Sequence, residues 1–366
     1  MKTVKLTLLL LILLKCNSFA QEKDYYFYHP EIKYGSELSF DPLTMFLNGS
    51  LDILRNGSHE NNGESKNIFR LDYGTGIRTV WNNISDPVKH INRFGWKNFI
   101  STEIFPISTS KEKAHYIPNY THHVIGAGML YVKTTEWFDY HGFKYPHLYS
   151  IITATAYQYM NEVIENNHYV GSNVDPIADL LIFNPLGYLL FSFDSVNRFF
   201  SKTIRLYDWS LQPVYNPVNQ EIENAGQQFI AKFDLPFETS MTGFVYWGIY
   251  GIAGLTIPIS DQDNFSFGAG TVVNSLNENR LSDTRFLTPN TDGSISFFYD
   301  RNHSLMASAI ITGPRFYNVR FNVYPGFFKI GPLEPGFYGG LGEWDNFQIG
   351  VTFAYLPIGL VTGKTH

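Results

Sequence analysis

The chain has 366 residues, a formal net charge of −6, and 17% aromatic residues against 16% charged ones. This aromatic-rich and charge-poor composition is typical of proteins that are unusually well buried or that face lipid. A nucleic-acid partner is not expected, because phosphate binding needs a basic stripe and none is visible in the sequence.

The first twenty residues have the pattern of a secretory signal peptide. Two early lysines precede an apolar run from Leu6 to Leu14, and Ser18-Phe19-Ala20 forms a cleavage site with small residues at both ends. Removal of residues 1–20 takes away three lysines, no acidic residue and the single cysteine, Cys16, which leaves a charge of −9. The exported chain would then contain no disulfide, so its stability must come from burial or from a closed sheet.

Residues 21–66 are expected to form an N-terminal extension and a polar loop, because the stretch HENNGESKN, residues 59–67, contains no apolar residue. Residues 67–210 are expected to be helical, because their apolar residues recur with helical spacing, and one further block of this kind precedes them. The apolar blocks are Leu43–Leu54, Ile77–Ile84, Val124–Phe138, Leu148–Ile164 and Ile177–Phe193.

The most apolar internal stretch is DPIADLLIFNPLGYLLFSF, residues 175–193. A transmembrane helix needs about twenty apolar residues. This run is shorter, carries Asp179 near its start and is interrupted by Asn184-Pro185. It therefore predicts a buried helix pair that is kinked or broken at Pro185, with a membrane span or an interfacial helix as alternatives.

The hydrophobic period changes near residue 225, where strict alternation begins. In NFSFGAGTVVN, residues 264–274, and FQIGVTFAY, residues 347–355, aromatic and aliphatic side chains alternate with Gly, Ser, Thr, Asn and Gln. Roughly seven or eight antiparallel strands are expected, including one long strand from Phe244 to Ile257 and a tight hairpin at Arg301-Asn302-His303.

Alternation with apolar residues outside and polar residues inside is typical of an outer-membrane barrel flanked by aromatic girdles. The girdle candidates are Tyr246, Trp247, Tyr250, Tyr299, Tyr324, Trp344 and Tyr355. A soluble sandwich or a lipocalin-like barrel alternates with the same period and keeps its apolar face inside, so it remains an alternative.

Residues 115–200 carry a resemblance to a known family. His122-His123 with Gly126, YMNEVIE with Glu162 and Glu165, and VDPIADLLIFNPLG are arranged in the order His-x-x-Gly helix, glutamate-bearing helix and Asp, aliphatics, Pro-x-Gly helix. This order resembles uncharacterised bacterial envelope proteins, many of them from Bacteroidetes, and it is more distantly similar to VanZ-like membrane proteins. The resemblance implies an architecture and an envelope location, and it implies no established activity.

The same segment contains residue types that could act in acid–base catalysis or bind metal. They are His122, His123, Glu162, Glu165, Asp175 and Asp179, and the catalytic candidates among them are His122, His123, Glu162 and Asp179. A structural role is the first expectation, because buried polar groups are normally hydrogen-bonded, and Asp175 before Pro176 would cap a helix. No cofactor or metal is predicted, since no complete fingerprint for either is present.

The predicted fold is α+β, with an N-terminal apolar helical region followed by a small antiparallel, outer-membrane-type β-barrel over residues 225–361. The leading hypothesis is a non-enzymatic, outer-membrane-associated envelope protein in contact with membrane lipid, whose helices cap or plug the barrel in a structural or small-molecule passage role. An envelope enzyme acting on lipid or cell-wall material is the second hypothesis, with His122 or His123 as base and Glu162 or Asp179 as orienter. A periplasmic carrier of an apolar ligand is the third.

Overall fold

The computed structural model describes residues 25–55, 67–105, 119–281, 283–313, 318–343 and 345–364. The predicted signal peptide, most of the predicted polar loop and Trp344 lie outside these residues. The described chain forms helices up to Thr203 and then a large, mostly antiparallel sheet, which confirms the α+β class.

Each apolar block predicted to be helical is helical. The α-helices are α1 (Gly35–Leu38), α2 (Pro42–Leu51), α3 (Tyr73–Ser85), α4 (Pro87–Phe94), α5 (Trp96–Phe99), α6 (Ala127–Tyr140), α7 (Pro146–Glu165), α8 (Asp175–Ala178), α9 (Asn184–Leu190) and α10 (Asp194–Arg198). Wide π-helical turns extend several of them: π1 (Ile100–Ile104), π2 (Asn119–Gly126), π3 (Asp179–Phe183) and π4 (Phe199–Thr203).

Helix α8, turn π3 and helix α9 form one continuous helical segment, so of the predicted kink or break at Pro185 the break is wrong. Proline lacks an N–H and its ring crowds the carbonyl one turn earlier, and here the turn before it widens, with the Asn184 N–H donating to the Asp179 carbonyl. The bend of 81° lies after Leu190, before Asp194–Thr203. Among the described residues no single helix has the length and apolar composition of a membrane span, and this bent pair reaches them only when taken together.

The prediction of a buried helix is correct for one face of this segment only. Phe183, Gly187 and Tyr188 are buried, and so are the polar residues Asp179 and Asn184. The opposite face exposes large aliphatic and aromatic side chains, namely Leu181, Ile182, Leu186, Leu189, Leu190 and Phe193. The inward face of the segment therefore combines polar groups with Phe183 and Tyr188, while the outward face is apolar.

The strands begin with a short one inside the helical region and continue to the end of the described chain. They are β1 (Ser172–Asn173), β2 (Leu206–Asp208), β3 (Val214–Asn216), β4 (Glu221–Glu223), β5 (Phe229–Asp234), β6 (Thr242–Trp247), β7 (Tyr250–Pro258), β8 (Asp263–Leu281), β9 (Thr284–Arg301), β10 (Ser304–Thr312), β11 (Val319–Val323), β12 (Pro335–Leu341), β13 (Phe347–Phe353) and β14 (Leu356–Lys364).

The hydrogen-bonded order is β2-β5-β6-β7-β8-β9-β10-β11-β12-β13-β14-β3-β4, with β1 joined to β9. The sheet therefore begins at β2 and ends at β4, and it is not closed into the predicted barrel. The ladders break where Pro213 offers no N–H and where Asn224 and Gly226 adopt positive φ. Backbone hydrogen bonds still cross this break, from Trp209 N–H to the Gln228 carbonyl and from Leu211 N–H to the Gly226 carbonyl.

Two strand predictions are corrected. The expected long strand from Phe244 to Ile257 is the hairpin of β6 and β7, turned at Gly248, which has φ of 151°. The hairpin of β8 and β9 is much longer than expected, because the polar stretch from Ser275 to Asn290 continues the ladder. The tight turn between β9 and β10 is confirmed, with Asn302 and His303 both at positive φ.

The alternation of strand faces is confirmed, with apolar side chains outside. Exposed positions include Phe265, Phe267, Ile295, Ile311, Phe321, Phe337, Phe347, Ile349 and Leu360, whereas buried positions include Ser266, Ser294, Ser296, Ser308, Asn322, Gln348 and Thr352. Three expected girdle residues, Tyr246, Tyr250 and Tyr324, are instead buried in an inner aromatic cluster with Trp209 and Phe298. The girdle prediction is wrong for these three tyrosines, because a tyrosine ring packs in a protein interior as readily as it lies at a membrane interface.

A buried ion cluster joins the helices to the start of the sheet. The Lys133 ammonium on α6 lies 2.8 Å from Glu37 Oε1 on α1 and 3.3 Å from Asp208 Oδ2 on β2. Phe27, Met129 and Phe191 pack with Leu206 and Phe229 in the hydrophobic core beside it. The helical region therefore packs against strands β2 and β5 of the sheet.

Candidate functional site

All six polar residues singled out in the sequence line one cleft between the helices and the sheet. His122 and His123 come from π2, Glu162 and Glu165 from the last turn of α7, and Asp175 and Asp179 from α8 and π3. The cleft encloses about 990 Å³, including the part open to solvent. π-Helical turns often occur at functional sites, and two of them supply the histidines and Asp179.

His123 is held between two polar side chains of the neighbouring helix. Its Nε2 lies 3.1 Å from Asp179 Oδ2, and its Nδ1 lies 3.0 Å from Asn184 Oδ1. Burial lowers the pKa of His123 and raises the pKa of Asp179 well above its usual range. Both shifts favour the neutral forms, in which the carboxyl of Asp179 would donate to Nε2 while Nδ1–H would donate to Asn184 Oδ1.

Glu162 extends this pair into a short chain of hydrogen bonds, since it shares one with Asp179. Burial is the main cause that raises the pKa of Glu162, and the nearby carboxylates of Glu165 and Asp175 add to it. One proton can therefore be held by either carboxyl or by the imidazole.

His122 lies beside this chain and faces the first turn of the 3₁₀ helix Asp52–Arg55. Its Nε2 is 3.9 Å from Asp52 Oδ2, and its ring packs edge-on against Phe229, with 5.7 Å between centroids. Burial lowers the pKa of His122 to about 3, so its imidazole is neutral. Asn161 fixes the side chain of Asp52, because its Nδ2–H donates to Asp52 Oδ1 with a distance of 2.6 Å between the two atoms.

Three carboxyl groups form a tighter cluster at one end of the cleft. Glu162, Glu165 and Asp175 each place one oxygen so that all three lie within 4.8 Å of one another. Oε2 of Glu162, Oε1 of Glu165 and Oδ1 of Asp179 are buried without a hydrogen-bond partner. Burial raises the pKa of Glu165 to about 8, with Asp175 adding to the shift and Arg285 opposing it.

The sequence analysis did not single out Asp52 and Asn161 of the cleft lining, or Arg285 beside the carboxylate cluster. Arg285 lies near the turn of the long β8–β9 hairpin, where β1 pairs with β9 in register Asn173 to Arg285. Its guanidinium donates to the Glu165 carbonyl and to Asn166 Oδ1, and it pairs with Glu278 at 3.4 Å. The only sequence signal was an arginine within a polar stretch, which gave no indication of a contact across 119 positions.

The close packing of two helices positions His123. A Cβ added at Gly187 on α9 would lie 2.7 Å from the Val124 carbonyl and 2.8 Å from the His123 carbonyl. Only glycine allows this approach. The Pro-x-Gly element singled out in the sequence thus has a physical reason, which is to bring α9 and π2 into contact.

The predicted capping role of Asp175 is not observed, because its side chain faces the cleft and Asn173 Oδ1 accepts the Asp175 N–H instead. The other candidates make specific contacts within the cleft. A neutral imidazole hydrogen-bonded to a protonated carboxyl can both release and recover a proton. The arrangement is therefore suited to acid–base chemistry, and its carboxylate cluster is suited to a cation.

The resemblance to bacterial envelope proteins stays a prediction. Searches of protein-family models, curated proteins and solved structures found no match for this chain.

Proposed function

We propose that this protein is an outer-membrane enzyme of the bacterial envelope that hydrolyses an envelope lipid, using the His123–Asp179 pair as its acid–base group. The observation that carries the proposal is the assembly of His122, His123, Glu162 and Asp179 in one cleft. These residues come from three separate helical segments, and their contacts are specific.

Hydrolysis requires that water loses a proton as it attacks and that the leaving group gains one. The His123–Asp179 pair is suited to the first step, because Oδ1 of Asp179, which has no hydrogen-bond partner, can accept the proton of water while Oδ2–H of the same carboxyl passes its proton to Nε2 of His123. The reverse transfer, from Nε2 of His123 back through Asp179, would give that proton to the leaving group. His122 and Asp52, which is hydrogen-bonded to Asn161, also line the cleft and would orient the substrate.

A lipid substrate and a membrane location are supported by the outer surface. Soluble proteins rarely expose a contiguous apolar patch of more than a few hundred Å², and here both the strands and the α9 helix direct apolar side chains outward. Leu186 and Leu189 are exposed on the helix that follows Asp179 directly. A lipid lying on that face would be next to the cleft.

The proposal also includes closure in the membrane of the sheet that the described ladders leave open between β2 and β4, with its apolar face toward lipid. The support comes from the strands at the two ends of the sheet. Strands β2 and β3 belong to one segment, residues 206–216, and strands β4 and β5 belong to the next, residues 221–234. The first segment pairs with β5 and also with β14. The hairpin of these two segments would thereby complete the ring.

The test is to purify the full chain from envelopes in detergent, incubate it with envelope lipid extract, and identify products by mass spectrometry. We expect lipid cleavage that falls at least a hundredfold in His123→Ala, since acid–base groups contribute factors of about this size. His141→Ala is the matched control, because His141 follows α6 at the surface, does not line the cleft, and contacts the Trp137 carbonyl of its own helix through Nδ1. Equal activity in His123→Ala, or no cleavage by the wild type, would overturn the proposal.

A second candidate is the passage of a small polar molecule, the role expected first from the sequence. It is favoured by the inward strand face, where the side-chain oxygens of Ser294, Ser296 and Ser308 are buried without a protein partner. Such groups are normally satisfied by water. Conductance across planar bilayers would support passage, whereas a non-conducting protein that cleaves lipid would support the enzyme.

A further inference from the structure

The cluster of Glu162, Glu165 and Asp175 has the geometry of a cation site. Its three carboxylate oxygens lie within 4.8 Å of one another. Hard divalent cations bind oxygen at about 2.0 to 2.6 Å, so ligands on opposite sides of one ion are about 4 to 5 Å apart. One ion can therefore contact all three carboxylates.

A second observation points to a ligand at the same place. Glu162 is 3% exposed, and its Oε2 has no hydrogen-bond partner although it lines the cleft. Oε1 of Glu165 is also buried without a partner. A buried carboxylate oxygen without a donor is costly, and a metal ion would satisfy both oxygens at once.

The cleft is also lined by several carboxyl groups whose negative charge a cation could compensate. The carboxyl groups of Asp52, Glu162, Glu165, Asp175 and Asp179 line it. The nearest arginine, Arg285, is shared with Glu278 and directs its hydrogen bonds at a carbonyl and an amide oxygen. Either protons or a bound cation must therefore compensate the carboxylates.

We propose that Glu162, Glu165 and Asp175 bind one hard divalent cation of the Mg²⁺, Mn²⁺ and Ca²⁺ class. Oxygen ligands select this class over softer metals. The bound ion would lie beside the His123–Asp179 pair, because Glu162 belongs to both groups, and it would supply a water molecule polarised for attack. To that extent the inference rests on the proposed function, but binding can be measured without any reaction.

The experiment uses the full chain in detergent, freed of metal with EDTA and titrated with Mn²⁺ and, separately, Ca²⁺. Free Mn²⁺ is followed by electron paramagnetic resonance and Ca²⁺ binding by calorimetry. We expect one ion per chain, and at least tenfold weaker binding in Glu165→Gln and in Asp175→Asn. Glu334→Gln is the matched control, since Glu334 pairs with Lys329 near the surface and away from the cleft.

Folding of the variants is checked by their melting temperature without metal. Removal of a carboxyl from this cluster should leave the metal-free protein as stable as the wild type or more stable, because burial and mutual repulsion disfavour ionised carboxyls at this place. Added Mn²⁺ should raise the melting temperature of the wild type and not that of Glu165→Gln. Absence of binding at millimolar Mn²⁺ and Ca²⁺, or equal binding by the folded variants, would overturn the inference.

The two proposals fail in different ways. Lipid cleavage that continues in EDTA, together with no ion binding, would remove the cation site and leave the acid–base proposal standing. Stoichiometric binding lost in Glu165→Gln, without any lipid cleavage, would establish the site and remove the hydrolase.

Discussion

The imidazole Nε2 of His123 lies 3.1 Å from Oδ2 of Asp179, and the two residues come from π-helical turns of different helices. In the neutral state of both groups the carboxyl donates and the imidazole accepts. The direction of this hydrogen bond determines which substitutions the pair tolerates.

Asp179→Asn should fold with a free energy of unfolding close to that of the wild type, because its amide can donate to Nε2 in place of the carboxyl. Asp179→Ala leaves His123 without its partner, and a buried group that loses its hydrogen bond costs about 1 to 3 kcal/mol. Chemical unfolding in detergent measures the difference. Equal destabilisation by Asn and Ala would contradict a hydrogen bond donated by residue 179 to Nε2.

Gly187→Ala should move α9 away from π2, because the added Cβ would meet the Val124 and His123 carbonyls at less than 3 Å. We expect a loss of about 1 to 3 kcal/mol in unfolding free energy from this overpacking. Lipid cleavage should fall with it. Gly293→Ala is the control, since a Cβ there meets no atom within 4 Å, and an equal effect of both changes would contradict the packing argument.

The site residues could be predicted from the sequence, but the contacts between them could not. The histidines, acids and Pro-x-Gly element were found because their types and order are visible along the chain. Their pairing was not, because His123 and Asp179 meet only through a π-helical turn and a glycine contact. Arg285 could not be predicted at all, because its hairpin reads as a polar loop until β1 pairs with it.

The strand faces were predicted better than the sheet. Period-two alternation determines which side chains share a face, and it needs no knowledge of the neighbours. The order of strands, the interruptions at 209–213 and 224–228, and the inward placement of Tyr246 depend on contacts between distant segments. Alternation contains no information about those contacts.

The carboxylate of Glu136 should make stability depend on pH. It accepts the backbone N–H groups of Tyr26, Phe27 and Tyr28. Burial raises the pKa of Glu136 to about 7, although these donors and Lys133 oppose the shift. Because the folded state then holds the proton more tightly than the unfolded chain, this contribution is fully present below about pH 4.5 and is lost as the pH rises through 7.

Between pH 4.5 and pH 8 the free energy of unfolding of the wild type should fall by about 3 kcal/mol more than that of Glu136→Gln, because the variant has no carboxyl to titrate at this position. Unfolding curves at both pH values measure the difference, and hydrogen exchange at residues 26–28 reports the N-terminal contact. Glu31→Gln, at an exposed position, should leave the pH dependence unchanged. A difference between wild type and Glu136→Gln that is independent of pH would contradict the prediction.

Lys133→Met should be strongly destabilising, because it leaves Glu37 and Asp208 buried without their cation. Removal of one partner of a buried ion cluster costs about 3 to 5 kcal/mol. The triple change Glu37→Gln, Lys133→Met and Asp208→Asn should recover much of this loss in unfolding experiments. A triple variant as unstable as Lys133→Met alone would show that packing, not charge, dominates here.

Ile349→Lys tests whether the outer strand face meets lipid. Ile349 is 63% exposed on β13, so in water a lysine there should cost almost nothing. In a bilayer the charge should cost about 2 to 4 kcal/mol near the midplane and reduce recovery in the outer-membrane fraction. Val218→Lys, in the turn between β3 and β4, is the control, and normal recovery of Ile349→Lys would favour a soluble carrier.

The parallel pairing of β14 with β3, in register Gly359 to Val214, has a consequence for how this chain is made. The last strand completes a ladder whose other half was synthesised before any of β5 to β13. An unfinished chain would therefore present unpaired edges at β3 and β13, which invite association with other chains. Strands β5 to β13 can pair with one another as they are made, but the ladder of β3 with β14 cannot form until β14 has been synthesised.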